Sequence, residues 1–347
     1  MLSLIELSGS SFQTGRALGR FGAQAAHSYL VSSSPWQTVM AWRGTDTSRA
    51  MQALVQQHFP RVHQELQGLA AGLELAPEDV FLWNCRGDLW SMAPDGCTTV
   101  QLPGPGGPRI THNEDGDPGL AGYCGIGMFA NDEGPDFASF VYPASIPGHT
   151  FAVNEHGLAM TVNNLRTRRA TVGIPRMVLT RALLDCSSLA QAVNLLVGMP
   201  RSGGFHLSLA QRGQQDLMSV EFNALHVSSR VVQAPSLHAN HALHDSMLGY
   251  PQVITDSSRH RQRRGDELLG QQTGPDRASK TEIDPLCILA DQENRQFPIY
   301  RDQPDDSDAE NTMATADIQV GTETVTWAVH ERPGQSARFN LVDANLA

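Results

Sequence analysis

The chain has 347 residues, 40% of them hydrophobic and 18% charged, an ordinary globular composition with enough length for a large core. Its formal charge of -11 gains nothing from counterion release on nucleic acid and is repelled by an anionic membrane surface, which excludes both as partners. The opening MLSLIELSGSSFQTGRALG lacks the basic region and apolar run of a signal peptide. No stretch is long and apolar enough to span a bilayer, and the closing DANLA carries no lipidation or retention signal, so the expectation is a soluble cytoplasmic protein.

The first ninety residues read as helical. Phe12, Leu18, Phe21, Ala25 and Tyr29 fall roughly on one helical stripe, with Ser10 and Ser11 as N-caps. Residues 47–58 make a second helix. Pro60 punctuates, and Val62, Leu66, Leu69 and Leu73 mark a third stripe. Pro77, at a first-turn position with acids behind it, opens a fourth helix, PEDVFLWNCRGDLWSM. At Pro94 the texture changes to short alternating segments: CTTVQL, PRITHN, ASFVY, HTFAVN and GLAMTVN. Gly, Pro and Asn separate them, the mark of antiparallel strands. A helical pair follows, IPRMVLTRALLDC and SLAQAVNLLVG, then strands FHLSLAQ, DLMSVEFN, HVSSRVVQ and LHAN. A basic helix spans 258–270, and the last strands lie near 312–320 and 323–330. The stretches 270–282 and 301–311 (RDQPDDSDAEN) are predicted exposed loops. PGPGGP at 103–108 is too rich in proline to cradle a phosphate and reads as a hairpin turn. Two strand blocks with helices before and between them predict an α+β architecture of stacked sheets flanked by helices, in one domain over 1–347.

Five cysteines, at 85, 97, 124, 186 and 287, are odd in number and widely spaced, with no CxxC. That argues against a disulfide framework or a thiolate zinc site. Cys97 is set apart by Asp95-Gly96-Cys97-Thr98-Thr99, at the junction of the helical and strand-rich parts. Gly96 has no Cβ, so it can take a strained backbone that leaves its carbonyl open to the next thiol. Attack there would give a thioester, and water would release a chain beginning at Cys97. The new α-amino group, with a reference pKa of about 7.7–8.0, can serve as the thiol's own base. The competing reading of the same residues is a turn followed by a buried cysteine.

A hairpin centred on residue 106 predicts Cys97 opposite Asp115 and Thr99 opposite Asn113. Cross-strand Cβ atoms lie about 4.5–5.5 Å apart, so Asn113 and Asp115 would line the Cys97 pocket. A slip of one residue would turn Asp115 to the other face. His238, His241 and His244 have a spacing that suits a metal only on a helix, and the segment before them reads as a strand, so no metal is expected. His112, His149, His156 and His206 are isolated and read as structural. Ser145-Ile146-Pro147-Gly148 is not a nucleophile elbow. Arg259, Arg261, Arg263 and Arg264 read as a solvated helix face, with Arg261 and Arg264 on one side of it. Cys85 and Cys124 read as structural.

Ordered motifs across nearly the whole chain resemble the acyl-coenzyme A:6-aminopenicillanic acid acyltransferase (isopenicillin N acyltransferase) family of cysteine N-terminal-nucleophile hydrolases. They are SFQTGRALGRFGAQAA, HFPRVHQELQGLAAGLELAPEDVFLWNCRGDL, GCTT followed by Asn113-x-Asp115, TFAVNEHGLAMTVNNLR, GIPRMVLTRALLDCSSLAQAV, HANH at 238–241, and Ser258-x-x-Arg261-x-x-Arg264-x-x-Glu267-Leu268-Leu269. The resemblance implies a four-layer αββα sandwich of two antiparallel sheets flanked by helices. It implies maturation at Gly96–Cys97 into an alpha fragment, 1–96, and a beta fragment, 97–347, that stay together as a heterodimer. It further implies chemistry on amide or thioester carbonyls of a small acylated substrate, without a cofactor. Carried over by residue, Cys97 is the nucleophile and its amine the base. Asp115 orients that amine or the substrate, Asn240 helps bind the oxyanion, Arg261 is the arginine of the SxxRxxR helix, and Thr99 assists self-cleavage. Related bile-salt and penicillin amidases carry an Arg just before the Asp matched by Asp115. Here His112, Asn113 and Glu114 precede it, which favours the acyltransferase branch. Asp308-Ala309-Glu310-Asn311 stands where the penicillin enzyme has a Ser-Arg pair, which weighs against penicillin chemistry and against coenzyme A use. The alternatives are a coenzyme A-dependent N-acyltransferase taking acyl-coenzyme A, and an unprocessed relative that only binds a ligand.

Overall fold

The computed structural model describes residues 1–168, 171–273 and 283–347. Its elements in chain order begin with β1 (Ser3–Gly9), α1 (Ser11–Ser28), α2 (Ser34–Met40), α3 (Asp46–His58), α4 (Pro60–Leu73), α5 (Pro77–Trp83) and α6 (Arg86–Leu89). The strands β2 (Asp95–Leu102), β3 (Arg109–Gly116), β4 (Gly125–Asn131), β5 (Phe137–Val141), β6 (Phe151–Asn154) and β7 (Leu158–Leu165) follow. Then come α7 (Arg176–Leu183), α8 (Leu189–Gly198), β8 (Gly204–Gln211), β9 (Leu217–Phe222), β10 (Val227–Val231) and β11 (Ser236–His238). The chain closes with α9 (Asp256–Thr273), α10 (Pro285–Leu289), β12 (Asn311–Val320), β13 (Val325–His330), β14 (Phe339–Val342) and β15 (Asn345–Leu346).

Two sheets form. The first has the order β1-β4-β5-β6-β7-β8-β9-β10 and the second β11-β2-β3-β12-β13-β14-β15. Side-chain alternation sorts the apolar residues into three cores. Along β5, Phe137 and Val141 join the core beneath α1 and α4, together with Leu18, Leu66 and Leu69. Ala138 and Phe140 point the other way, into a core shared with Ile110, Ala314, Ala316 and Ile318 of the second sheet. Val100 and Leu237, on the far face of the second sheet, pack with Leu269 of α9 and Ile288 and Leu289 of α10. Helix, sheet, sheet, helix is therefore the layer order, as the αββα expectation requires.

Four expectations need correction. The first ninety residues do not start with a helix: β1 runs beside β4 in parallel, so the first sheet is not wholly antiparallel. Exposed Leu4, Glu6 and Ser8 alternate there with sheltered Ile5 and Leu7, the period of an edge strand. The fourth helix is broken after Trp83, where the Asn84 amide donates to Val80 O and Ala144 O and accepts from Ile146 N–H. The stretch 301–311 is an exposed loop only in part: Asp302, Gln303, Asp305, Ser307 and Ala309 are exposed, but Arg301 and Glu310 are fully buried, and each is paired, Arg301 to Asp306 at 2.9 Å and Glu310 to Arg166 at 2.9 Å. Of 270–282, residues 270–273 belong to α9 and 274–282 lie outside the described residues.

The early motif SFQTGRALGRFG has a packing cause. Gly15 and Gly19 of α1 lie against the Glu65 and Leu69 carbonyls of α4, while Gly68 and Gly72 of α4 lie against those of Phe12 and Arg16. A Cβ at any of the four would collide with backbone. Gly68→Ala should therefore lose about 1–3 kcal/mol of stability, the usual cost of overpacking, read as a lowered denaturation midpoint. An unchanged midpoint would mean that the two helices are not held this close.

Candidate active site

The hairpin between β2 and β3 is in register with Cys97 opposite Glu114, Gly96 opposite Asp115, Thr98 opposite Asn113 and Thr99 opposite His112. This is one residue away from the expected pairing, and the slip reverses the faces. Cys97, Thr99, His112 and Glu114 face the first sheet. There Thr99 Oγ1 donates to Asn163 Oδ1 of β7 at 2.7 Å. Thr98, Asn113 and Asp115 face α9 and α10. Asn113 is fastened there, donating to Leu289 O at 2.9 Å and accepting from Thr315 Oγ1 at 2.6 Å, so its side chain does not line the thiol. Asp115 accepts from Thr312 Oγ1 at 2.7 Å and stands 4.0 Å from Arg261, with one carboxylate oxygen lacking a hydrogen bond. Burial raises its pKa, against the pull of Arg261 and Arg301.

The backbone of Cys97 is held on both sides. Its N–H donates to Asn240 Oδ1 at 3.1 Å, and its carbonyl accepts from Arg261 Nη1 at 2.6 Å. Arg261 also donates to Asn240 Oδ1 at 2.6 Å, to Thr98 Oγ1 at 2.8 Å and to Ser257 Oγ at 3.2 Å. The Asn240 amide nitrogen donates to Asn164 O at 3.2 Å, which fixes the orientation of that side chain. The expectation of a solvated arginine face holds for Arg259 and Arg263, which are exposed, and fails for Arg261, which is 0% exposed. The turn at Ser257–Ser258 aims Arg261 inward, and Arg264 reaches sideways to Asp291 at 2.8 Å.

On the other face, Cys97 Sγ lies 3.7 Å from Glu114 Oε2. His112 Nε2 is 3.2 Å from the same oxygen, and Tyr142 OH donates to Glu114 Oε1 at 3.0 Å. Burial pushes Glu114 well above the usual carboxyl range and holds His112 down at about 3. Burial, followed by the nearby carboxyls of Glu114 and Asp115, also raises the Cys97 thiol. Sγ, a His112 nitrogen and a Glu114 oxygen lie within 4.8 Å of one another. His238, His241 and His244 do not converge on a point. His238 bonds Glu221 at 2.8 Å, His241 bonds Ser258 at 2.8 Å, and His244 bonds Ser219 at 2.9 Å.

Gly96 is a glycine for want of room. A Cβ there would strike the Glu310 carboxylate, and its φ is not among the positive values. The expected backbone strain is thus replaced by a steric requirement. Just before it, Asp95 receives Arg86 at 2.8 Å and Arg176 at 3.2 Å; burial opposes its ionisation, but the two guanidiniums hold it at about 2. Glu114, His112, Asn163, Asn164, Arg166 and Glu310 are site residues that the sequence reading did not select. The doubled Asn163-Asn164 in an otherwise apolar strand was the one visible signal for them.

A thiol at the start of an inner strand, between facing sheets in an αββα stack, defines the architecture of an N-terminal-nucleophile hydrolase. Residues 103–333 match the model of the acyl-coenzyme A:6-aminopenicillanic acid acyl-transferase family, and the chain belongs to that family. The matched span contains Glu114, Asp115, Asn240 and Arg261; Cys97 stands just ahead of it. The chain is similar to the beta-alanyl-dopamine/carcinine hydrolase of Drosophila melanogaster, 24% identical over 213 residues that make up 54% of this chain and 55% of that protein. It thus spans about half the length of that curated relative. Among solved structures it is similar to penicillin V acylase from Agrobacterium tumefaciens, at 12% identity and a TM-score of 0.42, over 71% of this chain and 85% of the other.

Arg261→Met keeps much of the side-chain volume but leaves Asp115 without its nearest cation and Asn240 Oδ1 with one donor fewer. Breaking such a buried pair costs about 3–5 kcal/mol, so the variant should show a strongly lowered denaturation midpoint. A midpoint within 1 °C of wild type would show that the guanidinium is dispensable.

Proposed function

We infer that this chain is a zymogen that cuts its own Gly96–Cys97 bond, and that the mature enzyme hydrolyses or transfers the acyl group of a small acylated amine through an acyl-Cys97 intermediate. The clamp on Cys97 carries the reading. Asn240 holds its amide and Arg261 its carbonyl, from positions 143 and 164 residues away. Any buried strand residue needs its backbone groups paired, but β11 reaches only as far as Thr99, and at Cys97 the partners are side chains in place of a strand. The chemistry requires such fixation, because reacting atoms must be held in a near-attack arrangement.

In the first reaction the thiol adds to the Gly96 carbonyl, the acyl group moves from nitrogen to sulfur, and water releases fragment 1–96 from fragment 97–347. The two fragments remain one body as a heterodimer, since β1 and β4 pair across the cut. The freed α-amine of Cys97 then serves as base, within reach of Asn240 and on the side of Asp115 and Arg261. Substrate acylates the thiol, the developing oxyanion takes hydrogen bonds from the Asn240 amide and the Asn164 backbone N–H, and the amine leaves. Water or a second amine then takes the acyl group. Thr99 assists from the strand's inner face, where its hydroxyl donates to Asn163 at 2.7 Å and meets His112 Nδ1 at 2.8 Å.

The name of the Drosophila relative supports an amide between a short acyl group and a small amine as the substrate class. The family's name supports acyl-coenzyme A as donor in a second reading. Product mass decides between them: an acylated amine made from acyl-coenzyme A favours transfer, and free acid alone favours hydrolysis. No helix among the described residues is long and apolar enough to cross a membrane. All five cysteines are free, which suits a thiol enzyme of a reducing compartment such as the cytoplasm.

Intact mass of the purified protein should show two fragments meeting at Gly96–Cys97, with Cys97→Ala remaining whole. A wild type that stays whole, or an alanine variant that is still cut there, removes the central claim and leaves a ligand-binding relative. Asn240→Ala, once processed, should acylate about 10²–10³-fold more slowly, the usual cost of one oxyanion donor. Near-normal turnover would take Asn240 out of the oxyanion site. Iodoacetamide at neutral pH should label Cys97 rapidly after processing and slowly before it, where the residue is 3% exposed. Preferred labelling of Cys85 or Cys124 with parallel inactivation would identify a different nucleophile.

A further inference from the structure

The freed α-amine cannot activate the thiol for the first cut. In the uncleaved chain that nitrogen is an amide whose hydrogen is given to Asn240 Oδ1 at 3.1 Å. Some other group must take the thiol's proton, and the inner face of the hairpin presents one. Resting on the self-cleavage reading above, we propose that Glu114 is the proton relay of the uncleaved chain: it accepts the Cys97 thiol proton while handing its own proton to His112 Nε2.

The proton positions follow from the hydrogen-bond directions. The Asn163 amide nitrogen donates to His238 O at 3.0 Å, so the oxygen of that amide is the end that meets Thr99 and His206. It therefore accepts from Thr99 Oγ1 at 2.7 Å and from His206 Nδ1 at 3.1 Å. With its one hydrogen committed, Thr99 Oγ1 must accept from His112 Nδ1, 2.8 Å away. His112 is 0% exposed and is held neutral by burial, with a pKa near 3. Its single ring hydrogen is thus on Nδ1, and Nε2 is a bare acceptor. Nε2 stands 3.2 Å from Glu114 Oε2, and two acceptors cannot share such a contact without a hydrogen between them. Glu114 supplies it and is a neutral acid at rest, in keeping with the way burial raises that carboxyl. Tyr142 OH, donating to Oε1 at 3.0 Å, fixes the carboxyl plane and leaves Oε2 for the thiol at 3.7 Å and the imidazole at 3.2 Å.

The step balances without any added reagent. The S–H bond breaks as Glu114 Oε2 takes that proton and its own moves to His112 Nε2. Sγ bonds to the Gly96 carbonyl carbon. When the tetrahedral adduct collapses, the C–N bond breaks, and the proton returns from His112 through Glu114 to the leaving nitrogen, which becomes the α-amine. Water then splits the thioester: its hydroxyl goes to the Gly96 carbonyl carbon, one proton restores the thiol, and the proton lost as the Gly96 acid becomes a carboxylate is taken by the new α-amine. Glu114 touches the reacting sulfur; His112 acts through Glu114, and Thr99 through His112, which gives Thr99 its part in self-cleavage. The titratable groups that act on the pair are Asp95 and Asp115 on its own strands, and Glu310, Tyr142 and Cys124 from elsewhere in the fold; His206 of β8 acts on His112.

The test is the rate of Gly96–Cys97 scission in full-length wild type and Glu114→Gln between pH 6 and 9, followed by intact mass, with Cys97→Ala alongside. Glutamine keeps the shape: its amide can donate to His112 Nε2 and accept from Tyr142, but it cannot pass a proton on. Wild type should cut at a rate flat in pH, since the proton never leaves the protein. Glu114→Gln should be slower by about 10²–10⁴ at pH 7, the span of general acid–base catalysis, and should speed up about tenfold per pH unit as free thiolate takes over. Glu114→Gln cutting within threefold of wild type, with the same pH profile, overturns the relay alone. A wild type that stays whole at every pH, or a cut Cys97→Ala, overturns the self-cleavage and the relay with it. Should Glu114→Gln fail to fold, the imidazole ¹⁵N spectrum of His112 in Cys97→Ala decides the matter: the Nδ1–H tautomer from pH 5 to 9 supports the relay, and an Nε2–H tautomer overturns it.

Discussion

The guanidinium of Arg261 is the contact on which the site depends. One fully buried cation joins α9 to β2 and to Asn240, two residues past β11, giving hydrogen bonds to the Cys97 carbonyl, Thr98 Oγ1, Asn240 Oδ1 and Ser257 Oγ. Burying a charge is costly, and the cost is offset only when its donors are satisfied and an anion is near. Four acceptors and Asp115 at 4.0 Å meet that condition. A lysine ammonium is a compact point charge without the planar fork that lets one side chain face these acceptors at once. The same cation fixes Asn240, so the geometry of the nucleophile and that of the candidate oxyanion donor are set together.

The hairpin register does the complementary work. Because side chains alternate, the pairing of Cys97 with Glu114 assigns the charged partners Asp115 and Arg261 to the helix-covered face, and the acid–imidazole pair to the face between the sheets. The backbone of Cys97 is gripped from one side and its thiol is addressed from the other. On the mechanism proposed above, this division would let one cysteine use two different proton acceptors in sequence, an interior carboxyl before scission and its own amine after it, without the two competing for the same space.

Alternation and Gly/Pro punctuation are local signals, and they made most strands and an α+β class of stacked sheets legible in the sequence; the four-layer αββα order came from the resemblance to the family. The sequence did not yield the register: PGPGGP can turn about either of two centres, and the choice is made by Gly107, at φ +97 against the Val320 carbonyl of β12. Nor did it yield which arginines are buried. SSRHRQRRGDELL reads as a wet helix, and only contacts to Cys97 and Thr98, 164 and 163 residues away, single out Arg261. RDQPDDSDAEN misled for the same reason. Its acids look solvated in one dimension, yet Glu310 and Asp306 are sealed against Arg166 and Arg301.

Glu310 shows why activation has to change more than the protonation of a thiol. It occupies the space that a side chain at residue 96 would need, so the segment ahead of the scissile bond is pressed between Glu310 and the salt-bridged Asp95. Beside it, bounded by Pro94, Asp95 and Tyr142, remains a cavity of only ≈ 20 Å³, room for about one water and for no acyl amine. Under the proposed scission, a substrate would take the volume that residues just before Cys97 now fill, and the cut would free that strand end from its covalent anchor while giving it a new carboxylate beside Glu310. Arg166 already pairs with Glu310 at 2.9 Å, so the second acid would be repelled and the new terminus favoured outward. On this reasoning a single bond cleavage supplies the base and vacates the binding site together, and the uncut chain is inert on both counts.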